Sequence, residues 1–269
     1  MRRYVQLFFI FFSQAIKTEL AYRSQVLQRF LGVMAWFSAT IFFWMSAGKQ
    51  AGLSAYTPDM ILFYFVVVCF HDFLFISGDE FTKKIGESIR AGKLSASLVQ
   101  PFPYLLKIFA TGCGGICLRI WIVVPIFLLL RLTLLREVSL GVGVHQVGFY
   151  LLALMFASII ALLCLIITSL FAFDMTRVWA PWIIFVAFYN LLSGVFFPAD
   201  LATGFVKLVM EYLPFYYMAG FPALILLGRV GVPEVMHGFV MGVFIIAYLT
   251  LILTLMWRRG IKKFEAIGI

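Results

Sequence analysis

Along the chain, long apolar runs alternate with short segments that gather most of the charge. Six runs reach the roughly 20 apolar residues that a bilayer crossing requires: residues 26–47, 59–78, 104–131, 147–173, 178–197 and 236–257. In hydrocarbon each unpaired backbone polar group costs several kcal/mol, so runs of this length predict helices. The pattern predicts an all-α integral membrane protein with six transmembrane helices in a single domain, 1–269. The first 25 residues differ. Arg2 and Arg3 lead into an apolar stretch, Tyr4 to Phe12, after which Gln14, Lys17, Glu19 and Arg23 restore polarity. The stretch is too short to span, and no small-residue cleavage site follows as in a signal peptide. An interfacial helix over 1–25, lying on the cytoplasmic surface, is the expectation.

Composition supports this partition. The chain is 64% hydrophobic and 12% charged, with a mean hydropathy of +1.05, whereas soluble domains carry roughly 25% charged residues. A water-soluble globule has nowhere to hide so much apolar surface. The net charge of +9 suggests nucleic acid at first sight, but the basic residues are distributed as a membrane topology requires. With the N-terminus inside, fifteen of the 21 Lys and Arg fall on the inner side, five outside, and Arg119 within a span. That asymmetry predicts two cytoplasmic termini. Cys69, Cys113, Cys117 and Cys164 all lie in apolar runs with no His or carboxylate at ligand spacing, so they read as packing residues and no metal site is expected.

Two segments between spans are more than connectors. Segment 79–103 opens with Asp79 and Glu80 and carries Arg90 near its helical end, matching the helix macrodipole, with Gly92 placed as a C-terminal cap. Phe81, Ile85 and Ile89 recur at i, i+4 and i+8, giving one apolar face opposite Lys83, Lys84 and Glu87. Such a helix either lies on the membrane or docks into a groove on a cytoplasmic motor. Segment 198–233 is largely apolar but is broken by Pro198, Pro214, Pro222 and Pro233. Its pieces are too short to span and predict a re-entrant extracytoplasmic helical hairpin.

Ionisable residues within spans are costly and draw functional attention. His71 and Asp72 lie late in the second run; Arg119 lies in the third, beside Gly112, Gly114 and Gly115, which permit close helix packing. Counted from the inner ends of their runs, at about 1.5 Å per residue, Asp72 sits roughly 9 Å in and Arg119 roughly 22 Å. An Asp72–Arg119 pair and an Arg119 facing a water-filled path or a partner subunit both remain open. Asp174 and Arg177 read as an interfacial pair at the turn between the fourth and fifth runs. Trp36, Trp44, Phe188, Tyr189 and Asn190 are candidates to line a path for an amphipathic substrate, although aromatics in spans more commonly face lipid or the core.

Three stretches resemble a known family. Ile89-Arg90-Ala91-Gly92-Lys93-Leu94 followed by Leu98-Val99-Gln100-Pro101, the tail from Trp257 to Gly268 with Phe264 in place of a commoner Tyr, and Leu213-Pro214-Phe215 through Phe221-Pro222 to Gly228 together resemble the ABC-2-type transporter permeases. The resemblance covers essentially the whole chain. It implies a coupling helix between the second and third spans that contacts a separate nucleotide-binding ATPase subunit, with Glu87, Ser88, Ile89, Arg90, Gly92 and Lys93 as contact candidates. Ile89 would supply an apolar knob, and Arg90 and Lys93 charge-assisted bonds. It also implies that the hairpin helps close the outer end of the path and that a bacterial inner membrane is the setting.

No G-x-x-x-x-G-K-[ST] phosphate loop, H-E-x-x-H motif or serine-nucleophile elbow occurs, so no catalytic residues are assigned and no enzymatic activity of the chain alone is expected. No cofactor is expected on this chain; ATP and Mg would sit on the partner. The leading expectation is the permease of an ATP-driven exporter, acting as a homodimer or as a heterodimer with a homologous permease, with lipids and no nucleic acid as other partners. An ion-gradient-driven secondary transporter and a non-transporting membrane scaffold are the alternatives. The first predicts inverted repeats and midplane carboxylates; the second predicts tolerance of changes in 79–103.

Overall fold

A computed structural model describes residues 2–50, 56–75, 79–133, 143–175 and 179–264. Among these residues the chain is helical without strands. Five helices are long and apolar enough to cross a membrane: α2 (Arg23–Gln50), the one that opens at Pro58, α6 (Tyr104–Thr133), α7 (Val144–Leu170) and α12 (Val232–Lys263). The helix opening at Pro58 is described as α3 (Pro58–Phe75) and α4 (Asp79–Arg90).

α3 and α7 form the centre. Nearly every described side chain of α3 from Phe63 onward is buried. On α7, Ala153, Ala157, Ile160, Ala161 and Cys164 are buried at the spacing of one helical face. Small residues there let neighbours approach closely. α2 packs on α3 and leaves Leu27, Leu31, Phe42 and Phe43 outward. α12 packs on α7 and receives Phe rings at its glycines: Phe221 at Gly238, Phe156 at Gly242 and Phe173 at Gly260. A side chain at any of the three would collide with the ring, so the glycines set the helix separation.

At one end of the bundle, which we term basal, Tyr104 stacks on Trp257 with ring centroids 5.5 Å apart, and Phe173 meets the same Trp257 at 6.0 Å. Asp174 pairs there with Lys263 at 2.6 Å. The expected partner of Asp174, Arg177, lies outside the described residues. The opposite, apical end holds Tyr56, Asp200, Arg229 and the short helices between residues 204 and 226.

In the fifth run the helix ends earlier than the sequence suggested, at Leu192. Its described part, α8 (Trp179–Leu192), has 14 residues, about 21 Å at 1.5 Å per residue, against the roughly 30 Å of a hydrocarbon core. The helix stops because the backbone turns at Gly194, whose φ of +91° suits glycine and whose missing side chain leaves room for the Tyr64 hydroxyl. The apical segment also differs from a two-helix hairpin. It contains three pieces, α9 (Gly204–Tyr212), α10 (Pro214–Met218) and α11 (Gly220–Leu226). Leu213 separates the first two in an extended conformation (φ −103°, ψ 152°), as the residue before a proline tends to be. α10 and α11 pack against α7, while α9 turns Phe205, Leu208 and Tyr212 outward.

Residues 2–21 form α1 (Arg2–Ala21), which a single turn at Tyr22 separates from α2. α1 lies along α6, its most extensive neighbour in the fold. The glycines of α6 make that approach possible. A Cβ at Gly114 would come within 2.5 Å of the Phe12 carbonyl oxygen, and one at Gly115 within 2.6 Å of Glu19 Oε1.

Candidate functional site: a basal cavity and an exposed tip

α4 is packed against the bundle along one face and exposes Lys83, Lys84, Glu87 and Arg90 on the other. Its apolar face packs on α7 and on the 3-10 turn Phe171–Phe173, burying Thr82, Ile85 and Ile89. Gly92 caps it in the left-handed region, with φ +69°, where glycine costs least. Beyond it Leu94 is fully buried, and Ser95 Oγ donates to the Gly92 carbonyl at 2.6 Å. α5 (Leu94–Leu98) then leads to an exposed turn. There Val99 is 84% exposed and Leu98 40% exposed, and the chain turns back at Pro101 and Pro103 into α6.

This arrangement sorts the candidate contact residues. Glu87, Arg90 and Lys93 are exposed, and Ser88 is half-buried. Gly92 serves the turn. Ile89, expected as an apolar knob, is instead part of the core, because the helix face that carries it packs on α7. The apolar knob that does stand free is the Leu98–Val99 pair. Sequence patterning missed it because two adjacent apolar residues form no periodic stripe.

Arg119 lies 15 residues past Tyr104, and its guanidinium is held from two sides. Nη1 donates to the Leu74 carbonyl at 2.6 Å and Nη2 to Glu19 Oε1 at 3.0 Å. The pair with Asp72 does not form; among the described residues Asp72 takes part in no ion pair. Glu19 supplies the counter-charge because Gly115 lets α1 press against α6 at that level. The depth comparison also changes. α4 extends the packing line beyond α3 to the basal end, so Leu74 stands near the middle of the bundle, level with Arg119. Glu19 is the sole carboxylate among the first 50 residues, a signal that a buried Arg119 would turn to it.

Around this pair lies a cavity of about 280 Å³ between α1, α2, α4, α6 and α7. Its charged lining is Glu19, Arg29, Glu80, Lys84, Lys107 and Arg119. Arg29 meets Glu80 at 2.5 Å, and Lys84 meets the other Glu80 oxygen at 3.5 Å. The Lys107 ammonium stands 5.8 Å from the Phe11 ring centre and 6.0 Å from that of Phe102, within cation–π range. The apolar walls come from Phe11, Ala15, Val26, Phe81, Ile116 and Leu162.

The aromatic path candidates are not brought together. Trp36 and Phe188 face outward, at about half exposure. Trp44 donates to the Phe196 carbonyl at 2.7 Å, Tyr189 is fully buried in the core, and Asn190 is half-buried. His71 is fully buried, with its Nε2 3.4 Å from the Tyr150 hydroxyl. Among the described residues no cluster of three or more His, Cys, Asp or Glu could hold a metal ion, and all four cysteines are free thiols.

At the apical end, Tyr64 donates to the Gly194 carbonyl at 2.9 Å and accepts from the Ala199 amide at 3.1 Å. Gly220 N donates to the Ser193 carbonyl at 2.7 Å. Asp200 accepts from Tyr56 on one oxygen and from Arg229 Nε and Nη2 on the other, at 3.0 and 2.8 Å. Burial, and after it the hydrogen bond to Asp200, pushes the Tyr56 hydroxyl well above its ordinary pKa.

With five helices long and apolar enough to cross a membrane among the described residues, the bundle is that of a multi-pass membrane protein. A family model described as "ABC-2 family transporter protein" matches residues 34–268. The chain belongs to that family and is a transmembrane permease. No curated protein matches the chain.

Proposed function

We propose that the chain is the membrane-spanning subunit of an ATP-driven exporter whose ATPase is a separate polypeptide. The observation that carries this reading is the tip at residues 98–99. It is an exposed apolar pair at the end of α5, a few residues beyond the exposed cations Arg90 and Lys93, and the preceding helix α4 is packed on α7. A rigid lever ending in an apolar knob with charged flanks suits docking into a groove on a motor domain. There the knob would be desolvated, and the cations would bond carboxylates or carbonyls. Movement of the tip would pass along α4 to α7 and α3, the central helices.

In this reading the basal end is cytoplasmic and the setting is a bacterial inner membrane. Both termini are cytoplasmic, α8 and the turn after it complete a sixth crossing, and the apical helices α9–α11 lie at the outer side. Two permease copies, or this chain and a homologue, enclose the path. The outward apolar residues of α2, α8 and α12 supply surface for lipid and for the second subunit. ATP and Mg bind the partner, and the chain itself catalyses nothing.

The test is ATP hydrolysis and transport in reconstituted vesicles. Val99→Asp, or Arg90→Ala with Lys93→Ala, is expected to lower transport at least tenfold while the permease remains folded. Unaltered transport in these variants would sink the coupling role.

A further inference from the structure

Among the described lining residues of the basal cavity, four cations, Arg29, Lys84, Lys107 and Arg119, accompany two carboxylates, Glu19 and Glu80, so the lining can receive an anionic group. Glu19 makes the opposite demand. Its Oε1 is held by Arg119, but its Oε2 is buried and accepts from nothing among the described residues. A buried carboxylate oxygen left unpaired is costly. The cavity therefore asks for one ligand that is anionic at one point and donates an N–H or O–H at another.

We propose that this cavity binds the head group of an aminophospholipid, with the phosphodiester toward Lys84 and Lys107 and the primary ammonium on Glu19 Oε2. The cavity is small, about 280 Å³, at the lower edge of ligand-site volumes, and so suits a head group rather than a whole lipid. Its apolar walls, Val26, Ile116 and Leu162 among them, continue toward the glycerol and the start of the acyl chains. At the α1–α2 junction the lining residues Tyr22 and Gln25 are exposed, and the neighbouring Leu20 and Leu27 are more than half exposed, a surface that acyl chains can cover. Binding there would tie α1 to α2, α4 and α6, and it requires no ATPase.

The test is native mass spectrometry of the purified full-length chain in detergent, titrated with phosphatidylethanolamine, its N-methylated series, phosphatidylcholine and phosphatidylglycerol. Because a hydrogen bond to a charged group is worth a factor of about ten or more, ethanolamine lipid is expected to bind at least tenfold tighter than choline lipid. The N,N-dimethyl lipid retains one N–H and is expected to stay near the ethanolamine form, with the fall coming at the trimethyl step. Glu19→Gln is expected to bring the ethanolamine-to-choline ratio within about twofold. Lys84→Gln is expected to weaken both lipids together and keep the ratio. If Glu19→Gln does not fold, the methyl series on the native chain decides alone. Equal binding of choline and ethanolamine lipids would overturn the proposal, as would stronger binding of phosphatidylglycerol. Displacement of the lipid by soluble phosphoethanolamine at equal concentration would overturn its lipid identity.

Discussion

Two arginine–carboxylate pairs hold this molecule together at different levels, and they are completed to different degrees. At the apical end Asp200 has both oxygens engaged, one by Tyr56 and the other by two nitrogens of Arg229, and the Arg229 guanidinium also lies 4.4 Å from the Tyr56 ring centre. In the basal cavity Arg119 bonds Glu19 and the Leu74 carbonyl, but one buried oxygen of Glu19 has no partner among the described residues. The apical cluster ties the chain after α8 to the segments before α3 and α12 and needs nothing from outside. The cavity pair is built with a place for a further donor. A closed staple and a half-filled one serve different ends, the first to fix geometry and the second to receive a ligand.

The largest expected effect comes from breaking the cavity pair. Arg119→Ala leaves Glu19 without its counter-charge and the Leu74 carbonyl without its donor. Removing one member of a buried pair costs about 3–5 kcal/mol, so a large fall in the thermal midpoint in detergent is expected. A loss no greater than that at Asp200 would erase the distinction between the two pairs.

Gly114→Val should follow. Its Cβ would stand 2.5 Å from the Phe12 carbonyl oxygen, a backbone atom that cannot swing aside, and overpacking of this kind costs about 1–3 kcal/mol. A disulfide engineered between α1 and α6 should form more slowly in this variant. An unchanged rate would show that the helices do not need the glycine to meet. Asp200→Asn is expected to cost roughly 1 kcal/mol, since both partners are partly exposed. Its clearer signature would be faster proteolysis between α8 and α9.

The smallest effect is expected at Asp174–Lys263, which is exposed on both sides. The hydrogen bond from Lys263 holds the Asp174 carboxyl below its usual range. A depressed carboxylate contributes its stability above the unfolded-state pKa and loses it as pH falls through the folded one. Asp174→Asn should therefore lower the thermal midpoint slightly throughout neutral pH, with the difference shrinking and disappearing in acid solution below the ordinary carboxylate range. A difference that is absent at neutral pH and grows as pH falls would contradict the assignment.

Much of the fold could be read from apolar run length alone, because crossing hydrocarbon imposes a length that needs no partner to specify. That is why α2, α6, α7 and α12 fall close to their expected ranges. The same reasoning overestimated α8, since run length counts Ser193 to Phe197 as apolar helix and does not see that Gly194 must yield to Tyr64. The Gly92 cap was legible because a single residue's backbone freedom decides it. The partner of Arg119 was not, because Glu19 lies 100 residues away and only the α1–α6 approach brings it in. Ile89 and Val99 exchanged roles for a related reason: periodicity identifies the apolar face of α4 but not what covers it, and α7 covers it.

The central claim is that the tip at Leu98–Val99 docks on a separate ATPase. Val99→Cys, carrying a photo-crosslinker and expressed in its native membrane, tests it most directly. The account predicts one dominant adduct with a nucleotide-binding ATPase subunit, which weakens when Arg90 and Lys93 are replaced by Ala. An adduct with lipid alone, or with no ATPase under conditions that preserve membrane complexes, would contradict it and favour a gradient-driven transporter or a scaffold.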